Sequence, residues 1–100
     1  MRITVNEISI IKNLAQKVFG KGTMVYLFGS RVDNAKKGGD IDLFITNKEN
    51  SNLTISSKIE FLTELKLLIG EQKIDVVLDN SFTRQKKLFY RTITQQAVEL

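Results

Sequence analysis

The stretch 25–45 places the strongest constraint on how this chain can fold. A short apolar strand runs into Gly29-Ser30, a polar passage follows, and a second strand opens with the pattern Asp40-x-Asp42. Side chains alternate along a strand, so the two aspartates point to the same face, about 6–7 Å apart. Because like charges side by side are unfavourable and Asp is depleted in strands, the pattern favours a divalent cation bound between them.

The Gly29-Ser30 step indicates a second kind of contact. Glycine permits a tight turn and close approach of a ligand, and a helix that follows could offer free backbone N–H groups to phosphate. Taken alone, the step is more typical of an ordinary strand-to-helix turn. Together with the acids downstream, it indicates the phosphate and metal contacts that phosphoryl or nucleotidyl transfer requires. Arg31 could contact phosphate or pair with a nearby carboxylate, whereas Lys36 and Lys37 could be solvated or contact a triphosphate or the acceptor.

Hydrophobic periodicity and turn signals predict the remaining elements. The predicted elements are a helix over 5–19 with Asn6 as its N-cap, a strand over 24–28, a short helix over 31–35 capped by Ser30, a strand over 40–46, a helix over 54–69, a strand over 73–78 and a helix over 82–98. The order α-β-α-β-α-β-α predicts an α+β fold in which helices cover the apolar face of a small mixed sheet.

The third predicted strand carries another acid. Asp75 falls on the face opposite the apolar residues of its strand, so we expect it to lie toward Asp42, while Asp79 is interpreted as a turn residue or helix cap. The packing side of helix 54–69 is predicted to carry Ile55, Ile59, Leu62, Leu65 or Lys66, and Ile69. The last helix is predicted to pack through Leu88 or Phe89, Ile93, Ala97 and Leu100.

Composition excludes several kinds of chemistry. The 100 residues include no Cys and no His, which excludes disulfides, thiolate or histidine metal ligands, and Ser-His-Asp or Cys-His catalysis. The metal would therefore be a hard, oxygen-liganded ion, Mg²⁺ or Mn²⁺. The length predicts a single domain over 1–100. With no apolar run near the ~20 residues of a membrane span and no leader-like N-terminus, we predict a cytoplasmic protein. The net charge of +4 fits a solvated basic surface or attraction for phosphates, nucleic acid or an acidic partner.

The spacing of these residues resembles a known signature. Gly29-Ser30, nine intervening residues, Asp40-x-Asp42 and the later Asp75 resemble the DNA polymerase β-like nucleotidyltransferase superfamily, and the small size resembles its minimal nucleotidyltransferase (MNT) branch, over roughly residues 6–98. The resemblance implies a polymerase β-like palm core. It also implies a two-metal mechanism with the three aspartates as catalytic residues and metal ligands, and nucleotide binding by Gly29, Ser30 and Arg31.

The resemblance also implies a biological setting. Related MNT proteins pair with a helical HEPN ribonuclease as its antitoxin, and some transfer AMP from ATP to a tyrosine of that partner. We therefore expect a nucleotidyltransferase that uses ATP or another nucleoside triphosphate to modify a hydroxyl of a HEPN-type partner. The alternative is a non-catalytic antitoxin that acts by forming the complex. An RNA or antibiotic acceptor and an oligomer stay open, whereas a DNA-binding module is disfavoured because no helix-turn-helix or basic stripe is evident.

Overall fold

The computed structural model describes residues 3–32, 39–49 and 52–100. The elements found there are α1 (Val5–Phe19), β1 (Met24–Phe28), a 3₁₀ turn (Gly29–Val32), β2 (Ile41–Thr46), α2 (Ile55–Ile69), β3 (Ile74–Leu78), α3 (Ser81–Arg84), α4 (Lys87–Gln96) and β4 (Val98–Glu99). The predicted α+β class is confirmed, with one more strand than the three expected. Within the described ranges, no helix has both the length and the apolar composition needed to cross a bilayer.

The strands form one mixed sheet in the order β3-β2-β1-β4. β2 runs parallel to β3, and β1 runs antiparallel to both β2 and β4. This order places β2 between two partners and leaves β3 with a strand on one side only within the described part of the chain.

One face of the sheet forms the core against α1 and α2. Its buried strand residues alternate as predicted and are Val25, Leu27, Ile41, Leu43, Ile45, Ile74, Val76 and Leu78. The two helices contribute Phe19 and Phe61, whose ring centroids lie 5.2 Å apart. The period-two pattern of β2 and β3 thus predicted the buried face correctly, because burial on one side requires that alternation.

The packing side of α2 differs from the prediction at its N-terminal half. Phe61 and Leu65 are fully buried, whereas Ile55 and Ile59 are 75% and 59% exposed. The helix carries apolar residues at more positions than one stripe can hold, so periodicity did not decide which of them face the sheet. Two isoleucines therefore remain on the surface beside β3.

The predicted single helix over 82–98 is wrong in two respects. The helical segment is divided into α3 and α4, and Val98–Glu99 pairs with β1 as a short strand, after which the Leu100 N–H donates to the Val25 carbonyl at 2.9 Å. The physical reason is that β1 would otherwise present unpaired peptide groups at the sheet edge, and the chain terminus satisfies some of them.

The opposite face of the sheet is partly covered by α4. Phe44 is buried there because its ring lies 6.2 Å from Tyr26 and 6.1 Å from Tyr90 between centroids. Tyr90 follows directly after Phe89, the residue expected to pack, and Phe89 is 44% exposed. One residue corresponds to 100° around a helix, so this small shift exchanges which aromatic ring meets the sheet.

Asp79 is a buried ion-pair residue, and the cap of α3 is its neighbour Asn80. Arg84 donates from Nε to Asp79 Oδ1 at 2.6 Å and from a second guanidinium nitrogen to Oδ2 at 3.1 Å. These hydrogen bonds and the carboxylate charge hold the pKa of Arg84 above its usual range. The Asn80 side chain accepts from the Thr83 N–H at 3.0 Å. The paired Asp79 and Arg84 tie the end of β3 to the short helix that follows it.

The first helix is capped by Thr4, not by Asn6. The Thr4 hydroxyl accepts from the Glu7 N–H at 3.1 Å, and the Glu7 carboxylate accepts from the Thr4 N–H at 3.0 Å, which completes a capping box. We expect Thr4→Ala to lower the free energy of unfolding by about 1 kcal/mol because the Glu7 N–H loses its side-chain acceptor. Urea denaturation measures it. Thr63→Ala, at an exposed mid-helix position, should be neutral or slightly stabilising, and an equal loss in both variants would contradict the cap assignment.

Candidate functional site

Two of the predicted acids meet across neighbouring strands. In the register of the sheet, Asp42 on β2 pairs with Phe28 on one side and with Asp75 on the other. Adjacent strands lie about 4.8 Å apart, and residues opposite each other share a face. Asp42 is half-buried and Asp75 is exposed. The structure therefore brings these two carboxylates together on the face opposite the main core.

The charges of the acids act on one another. The pKa of Asp42 is raised to about 6, first by burial and then by the negative charges of Asp75 and Asp40, and a hydrogen bond that the protonated Asp42 carboxyl donates to the Asp75 carboxylate adds to the effect. Asp40, which is half-buried and immediately precedes β2, contributes through its charge alone. Negative charge thus accumulates around the Asp42 carboxyl, and a cation bound there would relieve it.

The chemistry of these donors fits a hard divalent cation. Carboxylate oxygens from two neighbouring strands are the ligands that Mg²⁺ and Mn²⁺ prefer, and the pKa of Asp42 is raised first by burial and then by the neighbouring negative charges. The described residues include no group of three or more acidic, His or Cys side chains already gathered at metal-binding separations. Asp42 and Asp75 lie opposite each other in the sheet, and Asp40 acts on Asp42 through its charge.

Gly29 lies directly against this pair. It begins the 3₁₀ turn with φ of 76°, a conformation that L side chains rarely adopt. A Cβ atom at this position would overlap the nearer Asp42 carboxylate oxygen and would lie 3.2 Å from Asp42 Cγ. The strand-to-turn junction can therefore approach the carboxylate closely only because the residue is glycine.

Arg31 lies at the base of the connection between β1 and β2. Its Nε donates to the Gly39 carbonyl at 3.3 Å, next to Asp40, and its charge reaches Glu7. Burial acts to raise the pKa of Glu7, yet hydrogen bonds from Gln72 and Thr4 together with Arg31 bring that pKa below its ordinary value. Arg31 therefore joins the 3₁₀ turn to the residue that precedes the first acid.

The connection between β1 and β2 differs from the predicted short helix where the structure describes it. The short helix expected over 31–35 is a 3₁₀ turn over Gly29–Val32 in the described part of the chain, and Ser30 occupies its second position rather than a cap before it. The remainder of that predicted helix lies outside the described residues, as do Lys36 and Lys37. Their predicted contacts with a triphosphate or acceptor stay predictions.

An aromatic wall that the sequence pattern did not predict lies beside the acids. Phe44 follows Asp42 on the same face of β2, Tyr90 packs edge-on against it, and the Arg84 guanidinium carbon lies 5.7 Å from the Tyr90 ring centroid. Burial and the charge of Asp79 raise the pKa of Tyr90, so its phenol stays neutral at physiological pH. No sequence signal distinguishes this tyrosine from the adjacent Phe89 as the one that meets the sheet.

The comparisons with known proteins agree with this arrangement. Residues 9–100 match the family model described as "Polymerase beta, Nucleotidyltransferase", and a comparison with functionally curated proteins gives no match. The matched region includes the Gly29 turn and all three aspartates, and covers more than half of the chain. The chain therefore belongs to the polymerase β nucleotidyltransferase family.

Proposed function

We propose that this chain transfers a nucleoside monophosphate, AMP from ATP, to a hydroxyl group of a helical protein partner. The observation that carries the proposal is the in-register pair of Asp42 and Asp75 beside the Gly29 turn in a chain of this family. In this proposal residues 1–100 act as one minimal nucleotidyltransferase domain.

We assign Asp40, Asp42 and Asp75 as the residues that would hold Mg²⁺ or Mn²⁺. When bound, two such ions neutralise the phosphate charge and favour deprotonation of the attacking hydroxyl. The support is the concentration of negative charge at Asp42 and the oxygen-only donor set of a chain without His or Cys. Because the charges of both Asp40 and Asp75 act on Asp42, losing Asp42 would affect the site more than losing either of the other two aspartates.

In the proposed transfer step, the exposed Asp75 carboxylate acts as the proton acceptor. The hydroxyl oxygen of the acceptor forms a bond to the α-phosphorus of ATP while the bond from that phosphorus to the bridging oxygen breaks, and pyrophosphate leaves. The hydroxyl proton passes to the Asp75 carboxylate. Asp75 suits this role because it is the exposed member of the pair, on the strand at the sheet edge, where an acceptor can approach.

Binding of the triphosphate is assigned to the turn after β1. Gly29 leaves room for the Asp42 carboxylate at this junction, and the backbone amide groups of Ser30 and Arg31 would donate to phosphate oxygens. Arg31 adds positive charge at the same place. This assignment rests on the family resemblance and on the position of the turn beside Asp42.

The partner is inferred from the same resemblance and from charge. A HEPN-type ribonuclease would be modified and thereby neutralised, which makes this chain the antitoxin of the pair. The net charge of +4 favours association with an acidic surface. We place the complex in the cytoplasm, as the sequence analysis predicts.

Label transfer tests the proposal directly. The chain and the protein encoded beside it are purified, mixed with MgCl₂ and with ATP labelled at either the α- or the γ-phosphate, and the partner's radioactivity and intact mass are recorded. We expect label from α-labelled ATP alone and a mass gain of one AMP, both lost with Asp40→Asn. Label from the γ position would indicate phosphoryl transfer instead. A tight complex without label would favour the non-catalytic antitoxin, and no complex would reject both readings.

A further inference from the structure

β3 presents an unpaired edge on the side away from β2. The Lys73 carbonyl accepts from Ile41 and the Asp79 N–H donates to Ile45, at 3.0 and 2.9 Å. In a parallel ladder the alternate residues of a strand bond to the same neighbour, so Ile74, Val76 and Leu78 direct their peptide groups outward. The Leu78 carbonyl already accepts a hydrogen bond from the Asn80 N–H at 2.9 Å. Within the described ranges, the peptide groups of Ile74 and Val76 therefore have no backbone partner, although the two residues are only 5% and 2% exposed at the edge of the sheet.

An apolar groove runs along this edge. Its volume is about 300 Å³, and its floor is formed by residues of β3. One wall carries Ile55 from α2, 75% exposed, and the other carries Phe82 and Phe89 from α3 and α4, 67% and 44% exposed. Exposed apolar side chains gathered around a strand edge are characteristic of interaction sites. Helical periodicity did not predict the exposure of these three residues.

The charged groups of the groove have one sign. Lys58 and Lys86 line it, and no acidic residue does so among the residues described. The Lys86 ammonium lies 4.9 Å from the centre of the Phe82 ring, which holds the positive charge over the apolar wall. The groove therefore complements a segment that is apolar on one side and acidic at its margins.

We propose that the β3 edge binds an extended, acidic segment of a protein partner, which pairs with Ile74 and Val76 as an added strand. Open peptide groups select an extended chain, since a helix has already satisfied its own. The lysines disfavour a second copy of this chain, because a symmetric β3–β3 contact would bring Lys58 and Lys86 of both copies together.

The added strand would also reach the candidate site, a consequence that rests on the proposed function, whereas the docking itself does not. Residues opposite each other in a sheet share a face, and neighbouring strands lie about 4.8 Å apart. A side chain opposite Asp75 would extend the row of Phe28, Asp42 and Asp75. A hydroxyl residue at that register would thus lie beside the assigned proton acceptor.

A peptide titration without nucleotide or metal tests the docking. The probe is a ten-residue peptide that alternates Glu and Val, added to ¹⁵N-labelled protein, with the same peptide carrying Lys in place of Glu as control. We expect amide shifts concentrated at Lys58, Val76 and Phe89, slower hydrogen exchange at the Val76 amide, and at least about tenfold weaker binding of the Lys peptide.

Matched variants locate the binding on the groove. Phe89→Ala should weaken binding about tenfold, whereas Leu88→Ala, the adjacent and 76% exposed residue outside the groove, should leave it unchanged. Likewise Lys58→Glu should weaken binding and Lys66→Glu, two turns along the same helix, should not. Absent or scattered shifts, a helical bound peptide, or concentration-dependent shifts at β3 without peptide would each overturn the proposal. Docking at β3 without label transfer to any partner would reject the proposed function and leave this inference standing.

Discussion

Asp42→Asn is expected to reduce nucleotide transfer by about 10³-fold or more while leaving the fold intact. The substitution removes the charge of Asp42, which lies beside both Asp40 and Asp75. Single groups that stabilise transition-state charge typically contribute about 10²–10³-fold or more. Transfer is measured with α-labelled ATP and saturating MgCl₂. The matched control is Asp79→Asn, directly after β3, which weakens the ion pair between the buried Asp79 and the exposed Arg84. That variant should be less stable and should still transfer nucleotide.

The same Asp42 variant should be more stable than the wild type in metal-free buffer. The pKa of Asp42 rises from 3.8 to about 6 on folding, so the folded state holds this proton more tightly and its ionisation costs stability. One pKa unit corresponds to about 1.4 kcal/mol. Because the side chain is only half-buried and solvent screens it, we expect a gain of about 1–2 kcal/mol for Asp42→Asn at pH 7.

The difference in free energy of unfolding between the wild type and Asp42→Asn should depend on pH. Below the unfolded pKa of 3.8, Asp42 is protonated in both states, so the difference between the two proteins should disappear. The gain should develop as pH rises toward about 6 and remain constant above it. Mg²⁺ should stabilise the wild type more than the variant, since it would bind the folded wild type preferentially. A variant that is less stable at pH 7 would show that Asp42 makes a structural contact instead.

Gly29→Ala is expected to lose both stability and transfer. A side chain at φ of 76° is strained, by about 1–2 kcal/mol. The new Cβ would also overlap the Asp42 carboxylate oxygen, which adds about 1–3 kcal/mol or displaces the carboxylate. We therefore expect a total loss of about 2–5 kcal/mol in the free energy of unfolding, measured by urea denaturation. Transfer should fall because Asp42 no longer occupies its position.

Gly22→Ala separates the two contributions to this effect. Gly22 has a similar φ of 88°, and a Cβ there would meet nothing within 4 Å. It should lose only the strain, about 1–2 kcal/mol, with transfer unchanged. If Gly29→Ala lost no more stability than Gly22→Ala and kept full transfer, the close approach of the turn to Asp42 would have no functional importance.

The sequence by itself determined the features that depend on local pattern. Strand alternation identified the core face of the sheet and the shared face of Asp42 and Asp75, because burial on one side imposes a period of two. Gly29 followed from the need for a tight junction between a strand and a turn. The spacing of these residues also indicated the family, which the match over residues 9–100 then showed.

The tertiary structure alone decided which patterns became buried and which stayed exposed. Ile55 and Ile59 belong to an apolar stripe, yet β3 is the edge strand and no described element covers them. Val98 continues a helical pattern, yet it pairs with β1. The raised pKa of Asp42 likewise comes first from its burial in the fold and then from Asp75, 33 residues later, which lies in register with it. The reason is physical: periodicity specifies the face of an element, whereas its partners come from contacts between distant residues, which compete for the same surfaces.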